Sequence, residues 1–178
     1  MPHKKLTEDR LKLLYLLPWS IDLTKRLVFE EGWVNSVYPD PQHKDILTIG
    51  VGHNLITSPK WSSNGNPIQH YLTDEEVASL LSEDINEVVI QLKAHWPYFK
   101  IMNPSARKSA MIMLCFQIGI VNFMKFVHMK DAIEHCNYTK AAQELTNSEW
   151  AREVPDRVDR LITQVTTGQY YEIPVYVK

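Results

Sequence analysis

The sequence predicts an α+β fold in which a small β-containing N-terminal lobe is joined by a long helix to an all-α C-terminal lobe. Three observations lead to this prediction. Strand-forming residues flank a turn-rich stretch within 37–51. Apolar residues at helical spacing run without a break over 73–96. Helical patterns punctuated by glycine and proline fill residues 103–168. In such an architecture the default ligand site is a cleft between the lobes.

Two helices are predicted before the strands. The first covers 7–17, with Thr7 as its N-cap and leucines at helical spacing, and it ends at Pro18, which cannot continue a helix. The second covers 21–31 and ends at Gly32, because glycine commonly follows a helix C-terminus. Pro18 and Gly32 therefore mark the predicted ends of these two helices.

The β region is short. Strands are predicted at Val37-Tyr38 and over 46–51, where β-branched residues dominate. Proline and aspartate between them predict a turn over 39–45. Residues 57–72 contain two prolines, an Asn-Gly pair and several serines, and they are predicted to form a loop.

The clearest helix covers 73–96. Thr73 and Glu76 form a capping box, in which each side chain accepts a hydrogen bond from the other residue's backbone amide. Pro97 stops the helix. At 1.5 Å per residue it would be about 35 Å long, which is enough to connect two lobes.

The rest of the chain is predicted to be helical. Asn103 can cap a helix that has Pro104 at its first position and continues to Gly119. Further helices are predicted over 124–135, 138–147 and 156–167, the last ending at Gly168, followed by an extended apolar tail over 170–177.

The composition excludes several classes of protein. With 178 residues, 44% of them hydrophobic and 22% charged, the chain can bury a core without disulfides. A net charge of −2 argues against a general nucleic-acid binder. The charge is uneven, with 8 basic against 13 acidic residues in 1–92 and 11 against 8 in 93–178. The more basic second half would suit binding to an anionic polymer. The alternative is that the difference in charge is ordinary surface variation.

No metal, cofactor or membrane span is expected. Cys115 and Cys136 form neither a disulfide framework nor a metal-binding spacing. The apolar run over 11–17 is short and interrupted by Lys12, unlike a secretory signal. No stretch approaches the roughly 20 apolar residues of a membrane helix.

Three polar residues around the β region could carry chemistry. Glu31 lies beside the apolar residues Phe29 and Trp33, which disfavour loss of its proton and suit a general acid. Asp40 in an open turn would stay ionised and could activate water, which Thr48 could help to hold. Two carboxyl groups in different environments are the requirement for glycoside hydrolysis. The alternative is that all three are solvated surface residues or caps.

The order of these residues resembles that of the T4-type bacteriophage lysozymes, glycoside hydrolase family 24. The resemblance covers roughly residues 21–170 and extends over both predicted lobes. Its motifs are Glu31-Gly32, Val37-Tyr38-Pro39-Asp40, Leu47-Thr48-Ile49-Gly50-Val51-Gly52-His53, Thr73-Asp74-Glu75-Glu76, Phe116-Gln117-Ile118-Gly119, Ser148-x-Trp150, Pro155-x-Arg157, Arg160-x-Ile162-Thr163 and Thr167-Gly168.

The resemblance implies a catalytic trio. Glu31 matches the general acid that protonates the glycosidic oxygen, Asp40 the carboxylate that positions or activates water, and Thr48 a residue that helps to hold this water. The family cleaves the β-1,4 bond between N-acetylmuramic acid and N-acetylglucosamine in peptidoglycan, with inversion at the anomeric carbon. An inverting glycoside hydrolase without a cofactor is therefore expected.

Further positions are carried over from the same resemblance. Phe116, Gln117 and Asn54 are expected to bind substrate, although Phe116 could equally be a core aromatic residue. His53 and Asp84 match an ion pair whose expected role is structural. Met129 and Glu144 replace family residues that contact saccharide.

The resemblance also implies a biological setting. The expected domains are an additional N-terminal helix over 1–20 and a lysozyme-like domain over 21–178, with an N-lobe at 21–72, a linking helix at 73–96 and a C-lobe at 97–170. A phage endolysin would be made in the host cytoplasm, act as a monomer on the cell wall, and need a separate holin. The alternative is a catalytically weak, peptidoglycan-binding or structural protein.

Overall fold

The computed structural model of the chain describes residues 6–40, 45–56, 62–63, 66–67 and 69–174. It confirms the α+β class, with two small antiparallel sheets and a predominantly helical remainder. In chain order the elements are α1 (Glu8–Leu16), α2 (Ile21–Glu31), β1 (Val34–Pro39), β2 (Leu47–Gly50), β3 (His53–Asn54), β4 (Ser62–Ser63), β5 (Asn66–Pro67), α3 (Asp74–His95), a 3₁₀ turn (Pro97–Lys100), α4 (Ser105–Lys125), α5 (Val127–Glu134), α6 (Tyr138–Thr146), α7 (Glu149–Glu153) and α8 (Pro155–Thr167).

The chain divides into two compact units. The first contains the described residues up to Asp84 together with Ile173 and Pro174, and the second contains Ile85–Glu172. The boundary lies within α3, which therefore contributes residues to both units. In the described part of the chain no single helix is long and apolar enough to cross a membrane; α4 and α5 reach that length and composition only as a pair bent by 94°.

Helix α1 is held to the first unit by a polar cluster formed by Arg10, Trp33, Asn35 and Asp74. The Arg10 guanidinium contacts both carboxylate oxygens of Asp74 at 3.1 Å and donates to the Asn35 side chain at 2.8 Å. Trp33 and Asn35 also donate to Asp74, each at 2.8 Å. Leu14 of the same helix is fully buried. The additional N-terminal helix is therefore a packed part of this unit.

The cluster controls the pKa of Asp74. Burial acts to raise this pKa, but hydrogen bonds from Arg10, Asn35 and Trp33 outweigh it, so the pKa lies below its ordinary value. A carboxyl group with a lowered pKa in the folded state stabilises the fold above its unfolded pKa, and the contribution disappears as the pH falls through the folded value.

We expect Arg10→Ala to lower the free energy of unfolding by about 2 kcal/mol at neutral pH, because it leaves Asp74 without its charged partner. Urea denaturation monitored by circular dichroism measures this. The difference from wild type should shrink as the pH falls through the pKa of Asp74. Lys12→Ala is the matched control on the same helix, because its pair with Asp9 is exposed and contributes little. An equal loss in both variants would contradict the role of the cluster.

The three-stranded sheet has the order β1-β2-β3. Tyr38 on β1 lies opposite Thr48 on β2, and Thr48 lies opposite Asn54 on β3. The register of β1 against β2 shifts between Val34 and Tyr38.

The predicted strands are present, although β1 begins earlier than expected. The predicted loop over 57–72 includes β4 and β5, which pair with each other. Residues 41–44 of the predicted turn, much of that loop and residues 175–177 of the predicted tail lie outside the described residues.

Several predicted caps are present. The Thr7 side chain accepts from the Arg10 amide at 3.3 Å. In the capping box of α3, the Glu76 amide donates to the Thr73 hydroxyl at 3.2 Å, and the Thr73 amide donates to Glu76 at 2.8 Å. Gly32 follows α2 with a φ of 88°, which a residue with a side chain rarely adopts.

Two helix boundaries in the second unit were predicted wrongly. Asn103 does not cap α4: Pro104 occupies that position, and no side chain makes a capping hydrogen bond. Gly119 does not end the helix either, because helical structure resumes after it and continues to Lys125. Gly119 itself is non-helical, with φ 74° and ψ 160°, so it interrupts the helix without terminating it. The 3₁₀ turn and α7 were not predicted, since each is too short for a periodic pattern.

Arg107 joins three helices of the second unit. Its guanidinium donates to the carbonyls of Val165 and Thr166 near the end of α8, at 2.7 and 3.1 Å. It also lies 3.5 Å from the centroid of the Tyr138 ring at the start of α6. These contacts satisfy carbonyls that a helix C-terminus leaves without partners and hold α4, α6 and α8 together.

Candidate active site

Glu31 is the last residue of α2 and is partly exposed. The negative end of the helix dipole lies at this position and favours the neutral form of a carboxyl group over the ionised form. Since Gly32 ends the helix immediately afterwards, the chain turns into β1 directly after this residue. Local sequence signals therefore place the carboxyl group at the junction between helix and sheet.

Gly52 lies directly against the Glu31 side chain. It occupies the turn between β2 and β3 with a φ of 70°. A Cβ atom added there would lie 3.1 Å from Cγ of Glu31 and 3.2 Å from its Oε2. Such distances are shorter than ordinary van der Waals contact, so a side chain at this position would require Glu31 to shift by a few tenths of an ångström. The contact places the Glu31 carboxyl group over one end of the β2–β3 hairpin.

Asp40 and Thr48 are fixed by the backbone of the sheet. The Asp40 amide donates to the Ile46 carbonyl at 2.8 Å and extends the β1–β2 pairing by one residue beyond Pro39. Alternate residues of a strand project to the same face, and so do residues directly opposite on a neighbouring strand. Tyr38, Asp40 and Thr48 therefore share one face of the sheet. Thr48 is buried, while Asp40 is partly exposed.

The Tyr38 phenol is subject to the charges of both carboxylates. Burial is the main reason that its pKa is raised to about 12, and the negative charges of Glu31 and Asp40 raise it further. Glu31 and Asp40 therefore lie within electrostatic range of the Tyr38 phenol, and Thr48 lies directly opposite Tyr38 on the neighbouring strand. The three predicted residues thus belong to one region of the first unit.

Asn54, one of the predicted substrate-binding residues, belongs to this unit. It lies opposite Thr48, and its side-chain oxygen accepts from the Ile56 amide at 2.8 Å. This hydrogen bond gives Asn54 a structural role in the turn after β3. Its partly exposed side chain leaves the predicted contact with substrate open.

Phe116 and Gln117 lie on α4 in the second unit. Both are partly exposed, whereas the five residues of 111–115 immediately before them are buried. Phe116 is therefore at the edge of the core of its unit, and its contact with sugar remains a prediction. Met129 is fully buried and has no surface to offer a saccharide, while Glu144 on α6 is partly exposed.

His53 and Asp84 form the expected pair. Nδ1 of His53 lies 2.9 Å from both carboxylate oxygens of Asp84. The histidine is buried, and its Nε2 has no hydrogen-bond partner among the described residues. Ile49, directly opposite His53, is buried on the same face. The pair thus lies on the face of the sheet opposite to Thr48, which fits a structural role.

Within the described ranges, no group of three or more His, Cys, Asp or Glu side chains could hold a metal ion.

Two residues of the site, Tyr38 and Gly52, were not singled out by sequence reasoning. Both belong to the motifs quoted above, but neither was given a role. Strand alternation could have identified Tyr38, because it lies two residues before Asp40. No local signal distinguishes Gly52 from Gly50, because they are two positions apart in the Gly50-Val51-Gly52 segment and both have positive φ.

The chain is similar to proteins of one family. A family model described as phage lysozyme matches residues 29–164. Probable T4-type lysozymes 1 and 2 of Dictyostelium discoideum are 28% and 29% identical; the alignments cover 80% and 84% of this chain and 92% and 96% of those relatives. The pre-baseplate central spike protein Gp5 of Enterobacteria phage T4 is 25% identical over 89% of this chain, but only 30% of its own length is matched.

Proposed function

Since the chain belongs to the phage lysozyme family, and is thereby a glycoside hydrolase of the lysozyme type, we propose that it is an N-acetylmuramidase. In this proposal it cleaves the β-1,4 bond between N-acetylmuramic acid and N-acetylglucosamine in bacterial peptidoglycan, with inversion. The observation that supports it best is the contact of Glu31 with Gly52 in the β2–β3 turn of the sheet that carries Thr48 and, directly after β1, Asp40.

The proposed reaction is a single displacement. Glu31 donates its proton to the glycosidic oxygen as the bond from this oxygen to the anomeric carbon breaks. A water molecule held by Thr48 attacks the anomeric carbon from the opposite face and transfers a proton to Asp40. Glu31 at the negative end of α2 is suited to be the acid, and Asp40 at the partly exposed end of β1 is suited to be the base.

Digestion of purified Gram-negative sacculi tests the bond and the stereochemistry. We expect soluble muropeptides with reducing N-acetylmuramic acid ends, identified by mass spectrometry after borohydride reduction. Proton NMR recorded early in the digestion should show the α-anomer first, as inversion requires. Reducing N-acetylglucosamine ends, or 1,6-anhydro ends, would contradict the proposed bond or reaction.

For the biological setting, we propose a phage endolysin that acts as a monomer. Made in the host cytoplasm, it would reach the wall through a separate membrane pore, the holin. Its similarity to a phage protein supports this setting. Expression in Escherichia coli with and without a co-expressed holin tests it. Lysis that depends on the holin is the expected result, whereas lysis at the same time without a pore would contradict it.

A second candidate is a lysozyme-like structural or peptidoglycan-binding protein with little turnover. The named role of the Gp5 relative, a central spike of the phage pre-baseplate, favours this candidate. The sacculus digestion separates the two, because a binding protein sediments with sacculi without creating new reducing ends.

A further inference from the structure

We propose that the α4–α5 corner, residues 120–127, docks the protein on the surface of a bilayer that contains anionic phospholipid. The corner belongs entirely to the second unit and takes no part in the proposed reaction. Three properties identify it as a docking surface: a group of exposed apolar side chains, a positive charge among them, and a shape that is fixed by hydrogen bonds.

The corner exposes a group of apolar side chains. Five of its eight residues are apolar and partly or fully exposed, namely Ile120, Val121, Met124, Phe126 and Val127. The exposed fractions of Val121 and Val127 are 72% and 60%, whereas Phe123 is buried. Single exposed apolar residues are normal on a protein surface, but a contiguous group of them marks a surface for interaction.

The charge in and before the corner is positive. Residues 88–130 include six Lys or Arg residues and no Asp or Glu. Lys125 in the corner is exposed, and its Nζ donates to the neutral side chain of Asn122 at 2.9 Å. A lysine among exposed apolar groups is complementary to an anionic lipid surface, because the ammonium contacts headgroups while the apolar groups enter the acyl boundary.

The nearest acidic residues after the corner have partners of their own. Asp131 on α5 lies 3.5 Å from the imidazole of His135. The Glu134 carboxylate accepts a hydrogen bond from the Trp96 indole. Both partners draw these carboxylates toward other parts of the second unit, so Lys125 is the charged side chain that the corner itself presents.

Hydrogen bonds fix the shape of the corner. The Phe126 amide donates to the Phe123 carbonyl, and the Lys130 amide donates to the Phe126 carbonyl, each at 3.1 Å. The buried Lys130 side chain donates to the Met124 carbonyl at 3.1 Å and satisfies an acceptor near the end of α4. A preformed surface loses little conformational entropy when it binds.

The corner suits the surface of a bilayer and not a passage through it. Together α4 and α5 have the length and composition of a membrane segment, but they are bent by 94°. Residues 109–115 of α4 are buried within the protein. The corner is therefore the part of these helices that offers apolar surface to lipid, and it would enter only to the shallow depth of interfacial helices.

A second copy of the chain fits the corner less well than lipid. Oligomers of one chain most often have twofold interfaces, in which the same surface patch meets itself. Such an interface would bring Lys125 of one copy toward Lys125 of the other. Like charges that face each other in an interface are unfavourable.

Sedimentation with lipid vesicles tests the proposal on the full chain. We expect binding to vesicles of equal parts phosphatidylglycerol and phosphatidylcholine, and much weaker binding to phosphatidylcholine alone. The double variant Val121→Ser, Val127→Ser should bind about tenfold more weakly, because two exposed apolar side chains are lost. Lys125→Glu should weaken binding to the anionic vesicles about tenfold, because it replaces attraction to the headgroups by repulsion.

Matched controls lie within residues 88–130 but outside the corner. The double variant Ile90→Ser, Ile101→Ser alters two side chains that are 57% and 74% exposed. Lys93→Glu reverses one exposed charge near the end of α3. These controls should bind like wild type, and all variants should keep the wild-type melting temperature because the altered side chains are exposed.

Hydrogen exchange with and without anionic vesicles locates the contact. The amides of residues 120–127 should exchange more slowly when vesicles are present. Absence of binding to the anionic vesicles, equal binding to both vesicle types, or equal loss in the corner variants and the controls would overturn the proposal. So would unchanged exchange in the corner, or a dimer that forms through the corner without lipid. None of these measurements requires cleavage of peptidoglycan, so their outcome is independent of the proposed function.

Discussion

Glu31→Gln should lower the rate of peptidoglycan cleavage by at least about 10³-fold, the largest effect expected for any single substitution in this chain. Glutamine keeps the shape of the side chain but has no proton to give to the glycosidic oxygen. General acid catalysis contributes roughly 10²–10⁴-fold, and protonation of the leaving group is the step on which bond cleavage depends. The loss should appear in kcat, because the side chain can still contact bound sugar.

The fold should tolerate this substitution. Glu31 is partly exposed at the end of α2. Glutamine keeps the size and polarity of the side chain, so we expect the melting temperature to change little. A variant that is inactive and at least as stable as wild type would identify a residue retained for chemistry.

Loss of turbidity in outer-membrane-permeabilised Gram-negative cells measures the activity. Glu75→Gln is the matched control, since it makes the same chemical change at an exposed residue in the first turn of α3. This control should lyse cells at the wild-type rate. If Glu31→Gln also lyses them at that rate, Glu31 is not the general acid.

The helices that position Glu31 could be predicted because their ends depend on local residues. Thr7, Gly32 and the Thr73–Glu76 box each act within one helical turn, so spacing along the sequence is sufficient to identify them. The same reasoning failed at Gly119, where a glycine permits a break but tertiary packing decides whether the helix resumes.

Residue order was enough to predict candidate residues, but not the contacts between them. The order of Glu31, Asp40 and Thr48 led to the prediction of the trio, whereas the register that places Tyr38 opposite Thr48 depends on strand pairing. The link from Arg10 to Asp74 connects residues 64 positions apart, and no local pattern reveals it. Long-range contacts of this kind follow from packing and not from propensity.

Gly52→Ala should reduce turnover about tenfold through displacement of the proposed general acid. The added methyl group would lie 3.1 Å from Cγ of Glu31 and 3.2 Å from its Oε2, so the side chain must give by a few tenths of an ångström. Misplacement of a catalytic group by about 1 Å can cost roughly 10²-fold in rate, and this smaller shift correspondingly less. The positive φ at this position adds strain of about 1 kcal/mol, which lowers stability without acting on the carboxyl group.

Gly50→Ala separates displacement from strain. Gly50 is the last residue of β2, two positions before Gly52, with a φ of 68° close to the 70° of Gly52, but its added methyl group meets Leu80 at 3.4 Å and Val77 at 3.8 Å, which are ordinary contacts. Both variants should lose similar stability in urea denaturation. Activity per folded molecule should fall only in Gly52→Ala, with kcat affected more than KM. Equal activity of the two folded variants would mean that the contact with Gly52 does not position Glu31, and that the strained turn alone requires glycine there.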